Sequence, residues 1–167
     1  MNQDYSHPQR KTKVVFVQLG SPSEPTTKAL RKYLRKFLGD PRVVDINPWL
    51  WKIILNFFVL PFRPKKSAKL YARIWDGKSF PLITNTKNFT NNVAEELKKI
   101  DPKGYVEVNH AFLLSPPYVN EVYDSWENDL KKGIGATKLL VIPMFPQYSE
   151  STIASGIDAL AKELSKR

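Results

Sequence analysis

Lys13-Val14-Val15-Phe16-Val17-Gln18-Leu19, followed at once by Gly20-Ser21-Pro22, is the stretch on which the fold turns. An apolar, β-branched run without alternation that stops at glycine and proline reads as a strand buried on both faces, delivering a loop at its carboxyl end. Beyond the loop, Thr26 or Thr27 stands where a helix cap is needed. Leu30, Tyr33, Leu34, Phe37 and Leu38 then recur at helical spacing, with Lys28, Arg31, Lys32, Arg35 and Lys36 on the other side. Gly39-Asp40-Pro41 stops that helix.

The same alternation returns downstream. Phe89, Val93, Leu97 and Ile100 mark a helix stopped at Asp101-Pro102, and Tyr105 to Leu114 reads as a strand. Pro117 is positioned to start a helix carrying Val119, Val122, Trp126 and Leu130. Lys138 to Met144 reads as another buried strand, and Ile153, Ile157, Leu160 and Leu164 stripe a last helix. Strands alternating with helices predict an α/β domain, a three-layer parallel sheet with right-handed crossovers. Ligands of such sheets bind beyond the carboxyl ends of the strands. The loops at Gly20 to Pro25, Leu114 to Tyr118 and Phe145 to Ser151 are therefore expected to meet there. Residues 1–12 are polar and read as a flexible arm with no signal-peptide pattern; 13–167 read as one domain without repeat or linker.

At 167 residues the chain suffices to bury roughly 70% of the surface its unfolded form exposes, so a core needs no covalent staple. The absence of cysteine excludes disulfide scaffolds, thiol nucleophiles and iron–sulfur ligation. Two histidines, His7 and His110, are too few for a histidine metal cluster. The net charge of +10 is concentrated: Lys28 to Lys78 holds 13 basic and three acidic residues, and the remainder balances. Such a field favours an anionic partner or, more plainly, a solvated helix face. No nucleic-acid motif accompanies it, and no nucleic-acid partner is expected. Ser149, Ser151 and Thr152 lack a histidine or acidic partner at nucleophile spacing and read as helix caps. Gly20-Ser21-Pro22 has one glycine and no Gly-Lys-Ser/Thr, so it is not a phosphate loop.

One segment does not fit a sheet layer. Residues 47–62 contain Trp49 to Phe62 (WLWKIILNFFVLPF), too short and too interrupted to cross a bilayer. As a helix, its Lys52 and Asn56 share one narrow face and every other face is apolar. Core, a partner subunit, a bound apolar ligand or a lipid surface must cover it. The flanking Arg42, Lys52, Arg63, Lys65 and Lys66 favour a lip at an anionic membrane surface.

VVFVQLGSPSEPTTKALRKYLRKFLGDPRVVDI, LPFRPKKSAKLYARIW, SFPLI and IPMFPQYSESTIASGIDAL resemble, in order and spacing, the N-terminal half of ferrochelatase. That enzyme inserts Fe²⁺ into protoporphyrin to make haem. The resemblance runs from about Lys13 to the end of the chain. It implies a porphyrin pocket lined by the apolar segment, here Trp49, Trp51 and Leu60, with lips on a membrane. It also implies a propionate contact for Arg73, beside Ala72 where some relatives carry a second arginine. The loop Pro146, Gln147, Tyr148 and Ser149 is retained. Leu113-Leu114-Ser115 replaces a more polar family segment that includes a tyrosine, and Gln18 replaces an asparagine. The family's metal-site histidine and glutamate lie in a second half that this chain does not reach, so neither His110 nor Glu163 inherits those roles.

The expected reading is a ferrochelatase-like protein that binds haem or protoporphyrin without inserting metal. As a half of a pseudo-twofold enzyme it is expected to be a homodimer, cytoplasmic and peripheral at the inner face of the membrane. His110 and Met144, with Tyr148, are the axial-ligand candidates by chemistry alone. The alternative is an active chelatase, as a homodimer or with a separate second half, for which Fe²⁺ would be a substrate.

Overall fold

The computed structural model of the chain describes residues 11–165. The arm assigned to 1–12 therefore lies outside the described residues except for its last two, and Thr12 already opens the first strand. The element order is β1 (Thr12–Gln18), α1 (Thr27–Leu38), α2 (Pro48–Ile54), α3 (Arg63–Tyr71), α4 (Pro81–Ile100), β2 (Val106–Phe112), α5 (Val119–Lys131), β3 (Lys138–Pro143) and α6 (Ser155–Ser165). A π-helical turn, Leu55–Val59, joins α2 toward α3, and a second, Glu150–Ala154, leads into α6.

The three strands form a parallel sheet in the order β2-β1-β3. Val15 and Val17 pair with Asn109 and Ala111 on one side and with Val141 and Pro143 on the other. The KVVFVQL run is thus the central strand, and Val14 through Val17 are buried as its lack of alternation predicts. α5 covers one face of the sheet, where Val119 joins Val15, Val17 and Ala111 in a core cluster. α4 covers the other, where the Phe89 ring meets Phe16 edge-on at 5.1 Å. This is the three-layer α/β arrangement read from the sequence.

Three local expectations are corrected. Lys138 to Met144 is not a buried strand: β3 is a sheet edge, and Leu140 and Ile142, on the α4 side of the sheet, are 45% and 37% exposed because α4 packs against β2 and does not reach them. The helix assigned to start at Pro117 starts at Val119. Tyr118 caps it, its backbone N–H donating to Glu121 Oε2 at 2.8 Å, while the Pro117 carbonyl is taken by the Phe112 N–H. The helix marked by Phe89 to Ile100 is longer than its stripe, and its buried positions are Thr86 and Thr90, whose hydroxyls donate to Leu82 O and Thr86 O. Ile100, at the end of the stripe, is exposed.

α1 behaves as its pattern predicts. Thr26 Oγ1 accepts from Ala29 N at 3.2 Å, and Leu30, Tyr33, Leu34 and Leu38 are buried while the basic side faces out. Leu55 and Leu60 pack against Tyr33, Leu34 and Leu38, which anchors the 47–62 segment to α1.

Candidate functional site

At the carboxyl end of the sheet the loops are knitted by backbone hydrogen bonds. Leu113 N and Leu114 N donate to Gln18 O and Leu19 O, and Met144 N donates to Val17 O at 2.8 Å. Gln18 closes the bundle: its Nε2 donates to Met144 O at 3.0 Å while its Oε1 accepts from Leu19 N. Ser115 Oγ, buried, accepts from Ser21 N at 3.3 Å. Gly20 between them has φ of +93°, and a Cβ built there would sit 2.3 Å from Ser115 Oγ, so only glycine fits the junction. Tyr33 OH donates to Gly20 O at 3.4 Å. Burial, reinforced by the neighbouring Tyr71, pushes the Tyr33 phenol far above its ordinary range, so it stays a donor.

Two cavities open on either side of this junction, and Leu114 and Tyr118 line both. The first, about 190 Å³, is walled mainly by apolar side chains: Leu19, Phe37, Val43, Leu113 and Leu114, with Ser151, Ser155 and Ala159 from the α6 side. Lys162 and Glu163 lie at the same wall. α6 is tied across to the end of α1 by Arg42, whose guanidinium holds the Asp158 carboxylate with Nε at 2.8 Å and Nη2 at 3.3 Å. The second cavity, about 310 Å³, combines Lys32, Lys36 and Lys78 with Tyr33, Trp75 and Phe80.

The expected site residues separate into groups. Leu113 and Leu114 line the first cavity. Of the segment 145–151, Ser151 reaches it, whereas Pro146, Gln147 and Tyr148 are exposed and line neither cavity. Ser149 precedes the π-helical turn, but its carbonyl, not its hydroxyl, accepts from Thr152 and Ile153; the hydroxyl pairs with Ser151 Oγ at 3.0 Å. Arg73 sits exposed on the 3₁₀ turn Ala72–Ile74, outside both cavities. His110 lies mid-strand on the α4 face, where burial and then Lys87 hold its imidazole below the usual value. Met144 lies at the strand end with its backbone engaged on both sides, outside both cavities. Among the described residues no group of three His, Cys, Asp or Glu side chains could hold a metal ion. The sequence marks Phe37 as core by its stripe and places Tyr118 at the end of the Leu114–Tyr118 loop expected at this end of the sheet; Leu19 borders the Gly20 loop, and Val43 and Ser155 carry no local signal for a site.

The 47–62 segment presents an apolar surface. Asn47 caps α2 by accepting from Trp49 N and Leu50 N, and Trp51 Nε1 donates to Leu38 O at 2.6 Å. Arg31 Nε donates to Leu60 O at 3.2 Å. With Leu55 and Leu60 turned into the core, Trp49 (77% exposed), Phe57, Phe58 and Phe62 face outward, and Lys52, Arg63, Lys65 and Lys66 are exposed around them. Leu60 is thus a packing residue at 1% exposure and Trp51 is half-buried against α1; neither lines the two cavities. No helix among the described residues is long and apolar enough to cross a membrane.

A family model described as ferrochelatase matches residues 11–167. Ferrochelatase of Idiomarina loihiensis is 43% identical over 164 residues, covering 98% of this chain and 43% of the relative. Ferrochelatase of Marinobacter nauticus is 39% identical over 154 residues, covering 92% and 40%. Ferrochelatase of Francisella tularensis subsp. tularensis is 37% identical over 167 residues, covering 98% and 46%. The chain spans a little under half the length of these relatives.

Proposed function

Because the chain belongs to the ferrochelatase family, we propose that it binds a tetrapyrrole, haem or protoporphyrin, at the carboxyl end of its sheet and does not by itself insert metal. The observation that carries this reading is the apolar cavity walled by Leu19, Phe37, Val43, Leu113 and Leu114 where the strand-end loops converge. A macrocycle is flat and apolar with charges at its rim, so it needs aliphatic and aromatic walls and a cation near the edge. Lys162 is the cation among the residues lining the cavity, which also include Asp40 and Glu163. At about 190 Å³ the cavity is smaller than the roughly 300–1,000 Å³ that encloses a drug-sized ligand. The disc therefore lies with one face against this wall, and a second copy of the chain covers the other.

The residues present fit the macrocycle and not its metal. The cavity wall carries no histidine or methionine, and His110 and Met144 lie outside it. The outward-facing Trp49, Phe57, Phe58 and Phe62, ringed by basic side chains, support peripheral attachment at the cytoplasmic face of an anionic membrane, from which an insoluble tetrapyrrole enters. The exposed Leu140 and Ile142 support a homodimer. A second reading, favoured by the identity to complete ferrochelatases, is metal insertion with further groups supplied from outside residues 11–165. Titration with haemin is the test. The expected result is a saturable Soret shift; no shift and no saturation would overturn the tetrapyrrole reading. Metal insertion into protoporphyrin by the purified chain alone would establish the second.

A further inference from the structure

We propose that Arg42 and Asp158 are positioning residues whose ion pair straps the first cavity shut, and that its opening admits the ligand; the ligand half of this rests on the tetrapyrrole reading above. The cavity lies between two walls far apart in sequence. Phe37, Asp40 and Val43 belong to one, at the end of α1, and Ser155 and Ala159 of α6 to the other. Arg42 falls between Asp40 and Val43 in the chain, and Asp158 directly precedes Ala159. The pair joins the two walls, Arg42 Nε donating to Asp158 Oδ2 at 2.8 Å and Nη2 to Oδ1 at 3.3 Å.

The two ends of the strap are mounted differently. The Arg42 end is stiff: Asp40 Oδ1 accepts from Arg42 N at 2.8 Å, Asp40 O accepts from Val43 N and Val44 N, and both valines pack against the core cluster of α1. The Asp158 end is loose. α6 packs on α5 and on the turn that leads into it, and Ser155 is its one buried residue. That turn is the π-helical Glu150–Ala154, where the N–H groups of Thr152, Ile153 and Ala154 converge on Ser149 O at 3.2, 3.0 and 3.3 Å. One carbonyl has two lone pairs, so three donors share it weakly and the turn is a soft joint. α6 is thus hinged at its start and strapped one turn further along. The strap is also weak enough to open. Its side chains are 42% and 53% exposed, and an exposed pair shifts an equilibrium by about two- to fivefold. Closed, the space is about 190 Å³, and a flat ligand reaches the Leu113 and Leu114 wall when α6 swings away.

Hydrogen exchange of the whole chain, read by mass spectrometry, tests the strap without any ligand. Arg42→Gln and Asp158→Asn are each expected to speed exchange of the α6 amides by about two- to fivefold, and the double variant no more than either alone. Exchange in β2 stays at the parent's rate, which shows that each variant is folded. Lys99→Gln, which removes an exposed ion pair with Glu96 on α4, leaves α6 unchanged. Stopped-flow mixing with haemin tests the gate. Arg42→Gln removes a cation, so electrostatics alone slow the approach of a dicarboxylate. The strap predicts the opposite, association faster than the parent's by about two- to fivefold, with the gap closing at about 0.5 M salt, where the parent's own pair is screened. Arg42→Asp/Asp158→Arg rebuilds the pair in reverse and is expected to return both readouts toward the parent. Unchanged α6 exchange in both single variants would overturn the strap. Haemin association in Arg42→Gln equal to or slower than the parent's would overturn the gate. Haemin that fails to bind the parent sinks the tetrapyrrole reading, and the exchange then decides the strap alone.

Discussion

Replacing Gly20 by alanine attacks the junction on which both cavities depend. At φ +93° a side chain is strained whatever the space around it, at a cost of about 1–2 kcal/mol. The new Cβ would also stand 2.3 Å from Ser115 Oγ, with Phe112 Cβ at 3.1 Å and Ser115 N at 3.2 Å. The hydroxyl must leave, and the buried Ser21 N–H it accepts from loses its partner, adding about 1–3 kcal/mol. Gly20→Ala is therefore expected to cost about 2–5 kcal/mol, a large share of the 5–15 kcal/mol a domain commands. Gly77 supplies the control, with the same φ of +93° and nothing within 4 Å of a built Cβ. Gly77→Ala should cost the strain alone, about 1–2 kcal/mol. Urea unfolding followed by tryptophan fluorescence measures both. In a Ser115→Ala background the hydroxyl clash is gone, so Gly20→Ala should cost less by about 1–3 kcal/mol, a coupling that a double-mutant cycle reads directly. Equal costs for Gly20→Ala and Gly77→Ala, or no coupling to Ser115, would refute the account of the junction.

Two further outcomes follow from the surface and the sheet. Trp49→Ser/Phe57→Ser/Phe58→Ser removes side chains that are 77%, 71% and 66% exposed, so unfolding stability should hold while co-sedimentation with anionic liposomes falls by at least about tenfold; equal binding by variant and parent would eliminate the lip. His110, held below its ordinary value by burial and then by Lys87, is neutral in the fold at a pH where the unfolded chain begins to bind its proton. Unfolding free energy should accordingly fall as pH drops below about 6.5, the unfolded value, and His110→Gln should flatten that part of the profile; an unchanged slope would show that His110 does not carry it.

The central strand was legible because Lys13 to Leu19 has no polar alternation, and a sheet places such a run where both faces are covered. Lys138 to Pro143 has a similar composition and ends up at an edge, because strand order depends on which crossover packs where, a nonlocal property that six residues do not encode. The meeting of the strand-end loops was legible from the α/β rule. Their individual side chains were not: Pro146 to Tyr148 turn outward before the chain returns at Ser151, a turn that no local sequence pattern encodes. The apolar character of the 47–62 segment was legible because Lys52 and Asn56 are the only polar side chains from Trp49 to Leu60, yet which of its residues anchor and which project was decided by where α1 offers Leu34 and Leu38. By sequence Lys36 belongs to a solvated helix face and Tyr118 to the end of the Leu114–Tyr118 loop, and only the fold brings them together.

The outer flank of β3 has a consequence for handling the protein at high concentration. With no strand beside it among the described residues and Leu140 and Ile142 uncovered, it is a template on which another chain can add. Lys138, at its start and exposed, is the lone gatekeeping charge within the strand. Solubility of this segment therefore hinges on one edge and one lysine more than on the large net charge, which sits elsewhere in the chain.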